Sequence, residues 1–386
     1  MASKLRLHAA PATVVSLVVF LALVVAFVGS SGADAAKQPK CGDTITADTT
    51  LHHNLVNCPN NGIIIGADDV TLDLNYHTID GDGEPFKQCS EQFCDVGVLN
   101  GGHDGDTVVH GSVRQFEDGV IATATRHTRL LGVSSSGNQF SAILLTGCDR
   151  SLVRNSSGNG SVADGQGLFL TFSHQVRILH SSFRDNGFNG IGLFESSHNL
   201  IKGNRLSGNG AGVGLDSDRN RVSHNRVRDG TIGISVGGDR NVISRNRISH
   251  LRQPGRGDAV AIEVGGGDRN AISGNSVRDT EGDAIRAGFE VHVVGTVVRR
   301  NHIRGAGRDG VDLGDKAKHS LLSHNHAFGA KDDGLDTNNS TTKLTRNQAR
   351  RNGDLGIEAV RGVIDGGGNK ASGNGDRRQC THVVCH

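Results

Sequence analysis

Tryptophan is absent from this 386-residue chain, and methionine and tyrosine occur once each, while glycine occurs 55 times. A chain with so few bulky side chains cannot fill a wide globular interior, and suits a narrow coil packed with small aliphatic residues. Beyond the N-terminal segment there is no second long hydrophobic run, which excludes a further membrane-spanning helix. No later stretch offers ten residues of helical periodicity. With 41 basic residues against 40 acidic ones, bulk charge draws the chain neither to nucleic acid nor to a membrane surface.

The N-terminal run itself reads as an export signal. Lys4 and Arg6 precede an apolar stretch from Val14 to Val28, and Ala33-Asp34-Ala35 offers a small-x-small cleavage site, so residues 1–36 are expected to be removed as a secretory signal peptide. In an exported protein, seven cysteines suggest disulfides. They fall in close pairs, Cys41 with Cys58, Cys89 with Cys94 and Cys380 with Cys385. The outer two would staple the ends of the chain. Cys148 is left over and reads as a small buried hydrophobe.

What the sequence has in abundance is itself, repeated. Asp218 to Val236 returns in near copies at Asp239 to Asn246 and Asp268 to Asn275, and in looser form over residues 106–375. A polar marker, usually Asn, recurs at Asn155, His180, Asn204, Asn225, Asn246, Asn275, Asn301, Asn325, Asn347 and Asn369. An apolar marker following a small residue keeps step with it, from Val120 through Ile234, Ile262, Ile285, Val311 and Leu335 to Ile357. Each repeat holds two or three runs of three to five residues, apolar at alternate positions and divided by Gly, Asn, Asp and Ser, which is strand patterning. A period of roughly 23 residues with three short strands predicts an all-β chain, a parallel β-helix solenoid of about 12–14 coils, each strand pairing with its copy one coil later. The Asn markers then form a structural ladder of stacked amides. Within residues 37–386, residues 37–79 are expected to open the solenoid, 80–95 to form an inserted loop, 106–375 to supply the repeats, and 376–386 to form a disulfide cap. The long step from Asn246 to Asn275, containing Pro254, marks an enlarged loop.

The residue after each apolar marker faces outward, since side chains alternate across a strand. Coil by coil that column reads Ile121, Leu144, Phe169, Gly192, Gly214, Ser235, Glu263, Arg286, Asp312, Asp336 and Glu358, changing from apolar or small to charged. Two places before the marker stand Asp283, Asp309 and Asp333, with Asp332 beside them. Asp312 and Asp336 would lie one strand spacing apart. Two bare carboxylates at ~5 Å repel by about 3 kcal/mol at an effective dielectric near 20, which a shared proton or a hard cation such as Ca²⁺ would relieve. The competing account is that these Asp-Gly pairs only form turns and start strands. His324-Asn325-His326, with His302 and His319, lacks a fixed fourth ligand for a transition metal, and His180, His224 and His324 read as turn residues. Arg219, Arg240 and Arg269 recur in Asp-Arg-Asn copies, and Arg226 and Arg247 lie one coil apart. Each copy brings its own Asp, so local charge pairing is expected.

The Gly-Ile-x-Val and Ile-x-x-Asn-x-Ile cassettes, with the Cys-Gly-Asp-Thr-Ile-Thr start at Cys41, resemble the right-handed parallel β-helix, or pectin-lyase-like, superfamily over nearly all of the mature chain. That resemblance implies a right-handed solenoid and a carbohydrate partner, but not one activity, because the superfamily includes lyases, hydrolases, epimerases, a periplasmic metalloenzyme maturation factor and adhesins. Asp332-Asp-Gly-Leu-Asp336 also resembles the calcium site of β-helical pectate lyases, in which a cluster of Asp holds Ca²⁺ and a Lys removes the C5 proton of a uronate. Carried over, this implies Asp332, Asp333 and Asp336 as metal ligands, with Asp309 or Asp312 supplying one from the preceding coil. Lys343 and Lys318 become candidates for the base, with Lys316 and Lys370 also near the right coils. Arg286 would neutralise charge at the reacting uronate, and Glu263, Arg286 and Glu358 would bind substrate. The leading expectation is therefore a secreted lyase or epimerase acting on a uronic-acid polysaccharide or cell-surface glycan. A non-catalytic carbohydrate-binding or cell-surface β-helix is the alternative, and a glycoside hydrolase is third.

Overall fold

The computed structural model describes residues 38–84, 94–162, 164–253 and 259–386. The expected signal peptide, Cys89 and most of the loop at 80–95, and the segment at Pro254 lie outside them. The described chain is all β, as the patterning predicts, and winds into a parallel solenoid. Its first face is a 14-stranded parallel sheet running from Asp43–Ile45 to Ile357–Ala359, one strand per coil. After each first-face strand the chain turns into a short second-face strand, such as Arg221–Ser223. It passes the Asn marker and enters a third-face strand, such as Arg226–Arg228, before returning. Regular first-face pairing already begins at Asp43 and Ile63, so the opening segment consists of full coils.

The period is fixed by what each coil buries. Ile262 and Val264 of the first face, Ile272 of the second and Val277 of the third point inward and are buried, and their equivalents stack above and below them. One aliphatic side chain per position is enough to fill so narrow a core, which is why the chain needs no tryptophan. Burying each of these is worth roughly 2 kcal/mol.

The Asn ladder holds the corner between the second and third faces. Asn204 donates its backbone N–H to Oδ1 of Asn225 (2.9 Å), and Asn225 donates its own to Oδ1 of Asn246 (3.0 Å). The side-chain amide of Asn225 donates to the Ile201 carbonyl (3.0 Å). The pattern continues through Asn275, Asn301, Asn325, Asn347 and Asn369. In the early coils the expected register is off by one. Asn155 and His180 sit at positive φ in the turn, and the ladder position is filled by Ser156 and Ser181. A serine hydroxyl accepts the same backbone N–H, so the amide pattern in the sequence misses it.

The ends are stapled as expected by Cys41–Cys58 and Cys380–Cys385. At the C-terminal end the side-chain oxygen of Gln379 accepts both the backbone and side-chain N–H of Asn374, closing a further ladder at the corner after the third face. Cys148 is a free, fully buried thiol that donates to the Ala122 carbonyl (3.3 Å), and burial pushes its pKa up. No helix among the described residues is long and apolar enough to cross a membrane.

Candidate functional site

The first-face strands place the outward column in the predicted order. In-register pairing runs Ile121, Leu144, Phe169, Gly192, Gly214, Ser235, Glu263, Arg286, Asp312, Asp336, Glu358, so a single line of outward positions passes from apolar through bare glycine to charged. Next to the apolar end, Phe172 and Phe194 are exposed and meet edge to face at 6.0 Å. At the charged end, Arg286 Nη2 donates to Glu263 Oε1 at 2.6 Å, and its guanidinium lies 5.7 Å from the centre of the Phe289 ring.

Beneath this column runs an acidic ladder. Asp309 donates its backbone N–H to Asp283 Oδ1 (3.0 Å), Asp333 to Asp309 Oδ1 (2.8 Å), and Leu355 to Asp333 Oδ1 (2.6 Å). These aspartates perform the acceptor half of the Asn ladder's job at a different corner, the entry to the first face. They cannot perform the donor half unless protonated. Gly310, within Arg308-Asp-Gly-Val-Asp312, has no positive φ. A Cβ there would come within 2.4 Å of the Gly334 carbonyl oxygen, so the glycine allows close stacking of coils rather than a turn. Of the competing account, this motif shows the strand start, since Asp309-Gly310 leads directly into the strand Val311–Leu313, and not a positive-φ turn.

The result is a dense set of buried carboxyls. Asp283, Asp309, Asp312 and Asp333 are each at most 5% exposed. Ligand-capable atoms of Asp283, Asp309 and Asp312 lie within 4.8 Å of one another, as do those of Asp309, Asp332 and Asp333. Oδ1 of Asp312 and Oδ1 of Asp336 are buried without a hydrogen-bond partner. Loss of water, with neighbouring carboxylates adding to it, raises the pKa of Asp309 to about 7, of Asp312 to about 8, and of Asp336 to about 6, the last held down by the amide of Asn338. Burial and a hydrogen bond with Glu358 push Asp333 up to about 8.

The structure thus brings together four of the five expected metal ligands, Asp309, Asp312, Asp332 and Asp333, and adds Asp283. Asp336 belongs to neither close group. The sequence already places Asp283 in one column with Asp309 and Asp333, two residues before Ile285, but the pectate-lyase motif does not extend to its coil. The lysines are not brought in. Lys343 pairs with Leu321 and Ile364 on the second face, and Lys370 pairs with Gln348 on the third. Lys318 lies in the short strand Ala317–Lys318 paired with Val293–Val294, and Lys316 Nζ donates to the Glu290 carbonyl (2.8 Å). No hydrogen bond or ion pair joins any of the four to the acidic column. Lys343 and Lys370 therefore stand on other faces than the acidic column.

The repeated arginines also differ from expectation. Asp218, Asp239 and Asp268 each accept the backbone N–H of the next coil at 2.7 to 2.8 Å, so these carboxylates cap the turns and do not pair with Arg219, Arg240 or Arg269. The histidines behave as turn and surface residues: His180, His224 and His324 have positive φ, and His302 stacks on His326 at 4.9 Å.

Two family models match parts of the chain, that of the periplasmic copper-binding protein NosD over residues 75–253 and that of a right-handed β-helix region over residues 232–381. No curated protein matches. Among solved structures, a tailspike protein of E. coli bacteriophage HK620 in complex with a pentasaccharide is 13% identical over 90% of this chain and 73% of its own, with a TM-score of 0.52. A double mutant of that tailspike gives 12%, the same coverage and 0.51. A mutant of the periplasmic alginate epimerase AlgG is 16% identical over 82% of this chain and 83% of its own, with a TM-score of 0.49. At such identities the likeness is one of fold. Both groups of candidate metal ligands lie outside residues 75–253.

Proposed function

We propose that this chain, a right-handed parallel β-helix protein, acts on a uronic-acid polysaccharide along its first face, as an exported lyase or epimerase that removes the C5 proton with the help of a divalent cation. The observation that carries this reading is the pair of buried, unpartnered oxygens, Oδ1 of Asp312 and of Asp336, in register at the charged end of the outward column. A buried carboxylate oxygen left without a donor costs about 1–3 kcal/mol, and a bound cation or proton removes that cost.

The donor set fits a hard cation. All the close ligand atoms are carboxylate oxygens, which suits Ca²⁺ and not copper, whose sites favour nitrogen and sulfur. Either close trio, Asp283 with Asp309 and Asp312 or Asp309 with Asp332 and Asp333, would hold it. Bound there, a divalent cation would offset the acidic charge that otherwise repels a uronate and would stabilise negative charge developing on the substrate carboxylate.

The protein's own groups supply the rest. Arg286, fixed by Glu263, presents a guanidinium to the substrate carboxylate. Asp336, half-buried and pushed up to about 6, is ionised at neutral pH yet more basic than an ordinary carboxylate, which suits it to act as the base in place of the lysines. It takes the C5 proton, and the C–H electron pair passes into the enolate of the uronate carboxyl. In a lyase the C4–O bond then breaks, a C4–C5 double bond forms, and the departing oxygen takes a proton from water. In an epimerase a proton returns to the opposite face of C5. The side chains of Gln166 and Asn189, hydrogen-bonded over Gly192 and Gly214, and the exposed rings of Phe172 and Phe194 offer an amide pair and an apolar platform for further sugars, and a fold neighbour, the phage tailspike, binds a pentasaccharide. Incubation with pectate and alginate, with and without Ca²⁺, should yield unsaturated or C5-inverted uronates. Release of reducing ends with neither product would instead indicate a glycoside hydrolase.

A further inference from the structure

The third face carries a second charged feature that the acidic column does not use. Arg205, Arg226 and Arg247 are in-register partners on three successive coils, all exposed and all outward, since Leu206, Val227 and Ile248 beside them point into the core. Their strand spacing is about 4.8 Å. Three guanidinium groups so aligned repel one another, and carboxylates would ordinarily be interleaved to relieve them. Here none of the three forms an ion pair or a side-chain hydrogen bond. The nearby acids are engaged elsewhere: Asp229 with Arg228 at 3.3 Å and Asp279 with His250 at 3.6 Å.

The arginines form a ridge between two shallow furrows. One, of about 560 Å³, is bordered by Asn225, His224 and Arg245, and the other, of about 640 Å³, by Ser207, Arg228 and His250; Arg205 and Arg226 line both. The line continues with serine at either end, Ser182 before Arg205 and Ser276 after Arg247. A straight row of unpaired, planar, five-donor cations flanked by hydroxyl groups is complementary to a linear polymer with one planar or tetrahedral anion per unit.

We infer that the Arg205–Arg226–Arg247 row is an anion track that binds an anionic polysaccharide, carboxylated or sulfated, lying along the solenoid axis. A sugar chain fits better than single-stranded nucleic acid because no Phe, Tyr or Trp lines either furrow for bases to stack on, the rings there being the imidazoles of His224 and His250. That the polymer is a uronan rests on the proposed function, but the track does not. It stands on a different face from Asp312 and Asp336, so it would hold or recruit the polymer without taking part in chemistry.

The test is affinity electrophoresis of the mature protein through gels containing polygalacturonate, alginate, chondroitin sulfate or neutral dextran. The anionic gels should retard it, dextran should not, and retardation should weaken with salt. The triple variant R205Q/R226Q/R247Q should lose about tenfold or more in affinity, because three charge-assisted contacts are removed. The charge-matched control R129Q/R177Q/R221Q, which removes three exposed arginines from the second face, should bind as wild type, which separates the track from bulk positive charge. A single charge reversal, R226E, provides a second reading if the triple variant melts early. Wild type passing the anionic gels as it passes dextran, or both variants retarded like wild type, overturns the track. A single-stranded oligonucleotide displacing polygalacturonate at equal charge overturns the choice of polysaccharide.

Discussion

Asp312 and Asp336 stand in register on neighbouring coils, each with one carboxylate oxygen buried and accepting no hydrogen bond. Four and three coils before Asp312 the same outward position is filled by Gly214 and Ser235. The strand architecture does not demand acids there, and two unrelieved acids at this spacing oppose folding. Their presence is what the functional reading explains, and it makes the site testable through stability as well as activity.

The first test is pH. Asp309, Asp312 and Asp333 are pushed up to about 7, 8 and 8, against a starting value of 3.8. Between those limits the folded protein binds more protons than the unfolded chain, so this contribution is fully present below about pH 4 and is lost as pH rises through about 8. Asp95 and Asp118, raised to about 6 by burial, act in the same sense at lower pH. In the presence of a chelator the melting temperature should therefore fall between about pH 6.5 and about pH 8.5, and Ca²⁺ should restore it at the upper end. A melting temperature that rises over that interval would show that the cluster is not protonated as described.

Asp309 belongs to both close carboxyl groups and accepts the Asp333 N–H at 2.8 Å. Asparagine at this position would keep that acceptor, gain the donor that the Asn ladder uses, and remove a charge. Asp309→Asn should thus melt higher than wild type at about pH 8 without cation, and should lose the Ca²⁺-induced rise. An undiminished rise would remove Asp309 from the ligand set.

The scaffold has its own signature. Oδ1 of Asn225 accepts the Asn204 backbone N–H, and its amide donates to the Ile201 carbonyl, both in the interior. Asn225→Ala leaves these groups unsatisfied and should cost about 2–3 kcal/mol in urea unfolding. Product formation per folded molecule should not change, since Asn225 is far from the first face. Unfolding indistinguishable from wild type would mean that the ladder does not stabilise the coil.

Arg286 connects the scaffold to the chemistry. Its ion pair with Glu263 is about three-quarters buried, and its loss should lower stability modestly. Turnover of a uronan by Arg286→Ala should drop on the order of 10²-fold if the guanidinium neutralises the reacting carboxylate. Arg286→Lys should recover only part of it, because a point charge replaces the fork. Wild-type turnover in Arg286→Ala would assign the residue to structure alone.

Much of the fold was legible because a solenoid writes its register in the chain: the outward column from Ile121 to Glu358 could be read one coil at a time and pairs in that order. What escaped reading depended on equivalences of chemistry rather than of residue type. Ser156 and Ser181 take the ladder's place because a hydroxyl can accept what an amide accepts. Asp218 and Asp239 cap backbone where pairing with arginine was expected, because a turn N–H is nearer than a long side chain. Lys343 looked close to the acids because sequence distance along a coil does not tell which of three faces a residue occupies.

The most direct test of the whole account is solvent exchange at C5. The mature protein would be incubated with pectate or alginate and Ca²⁺ in deuterated buffer, and recovered uronates examined by NMR. Wild type should give deuterium at C5 in inverted sugars, or C4–C5 unsaturated ends, and Asp336→Asn should give neither. Native uronates that recover unlabelled, saturated and uninverted from the wild-type protein would contradict it.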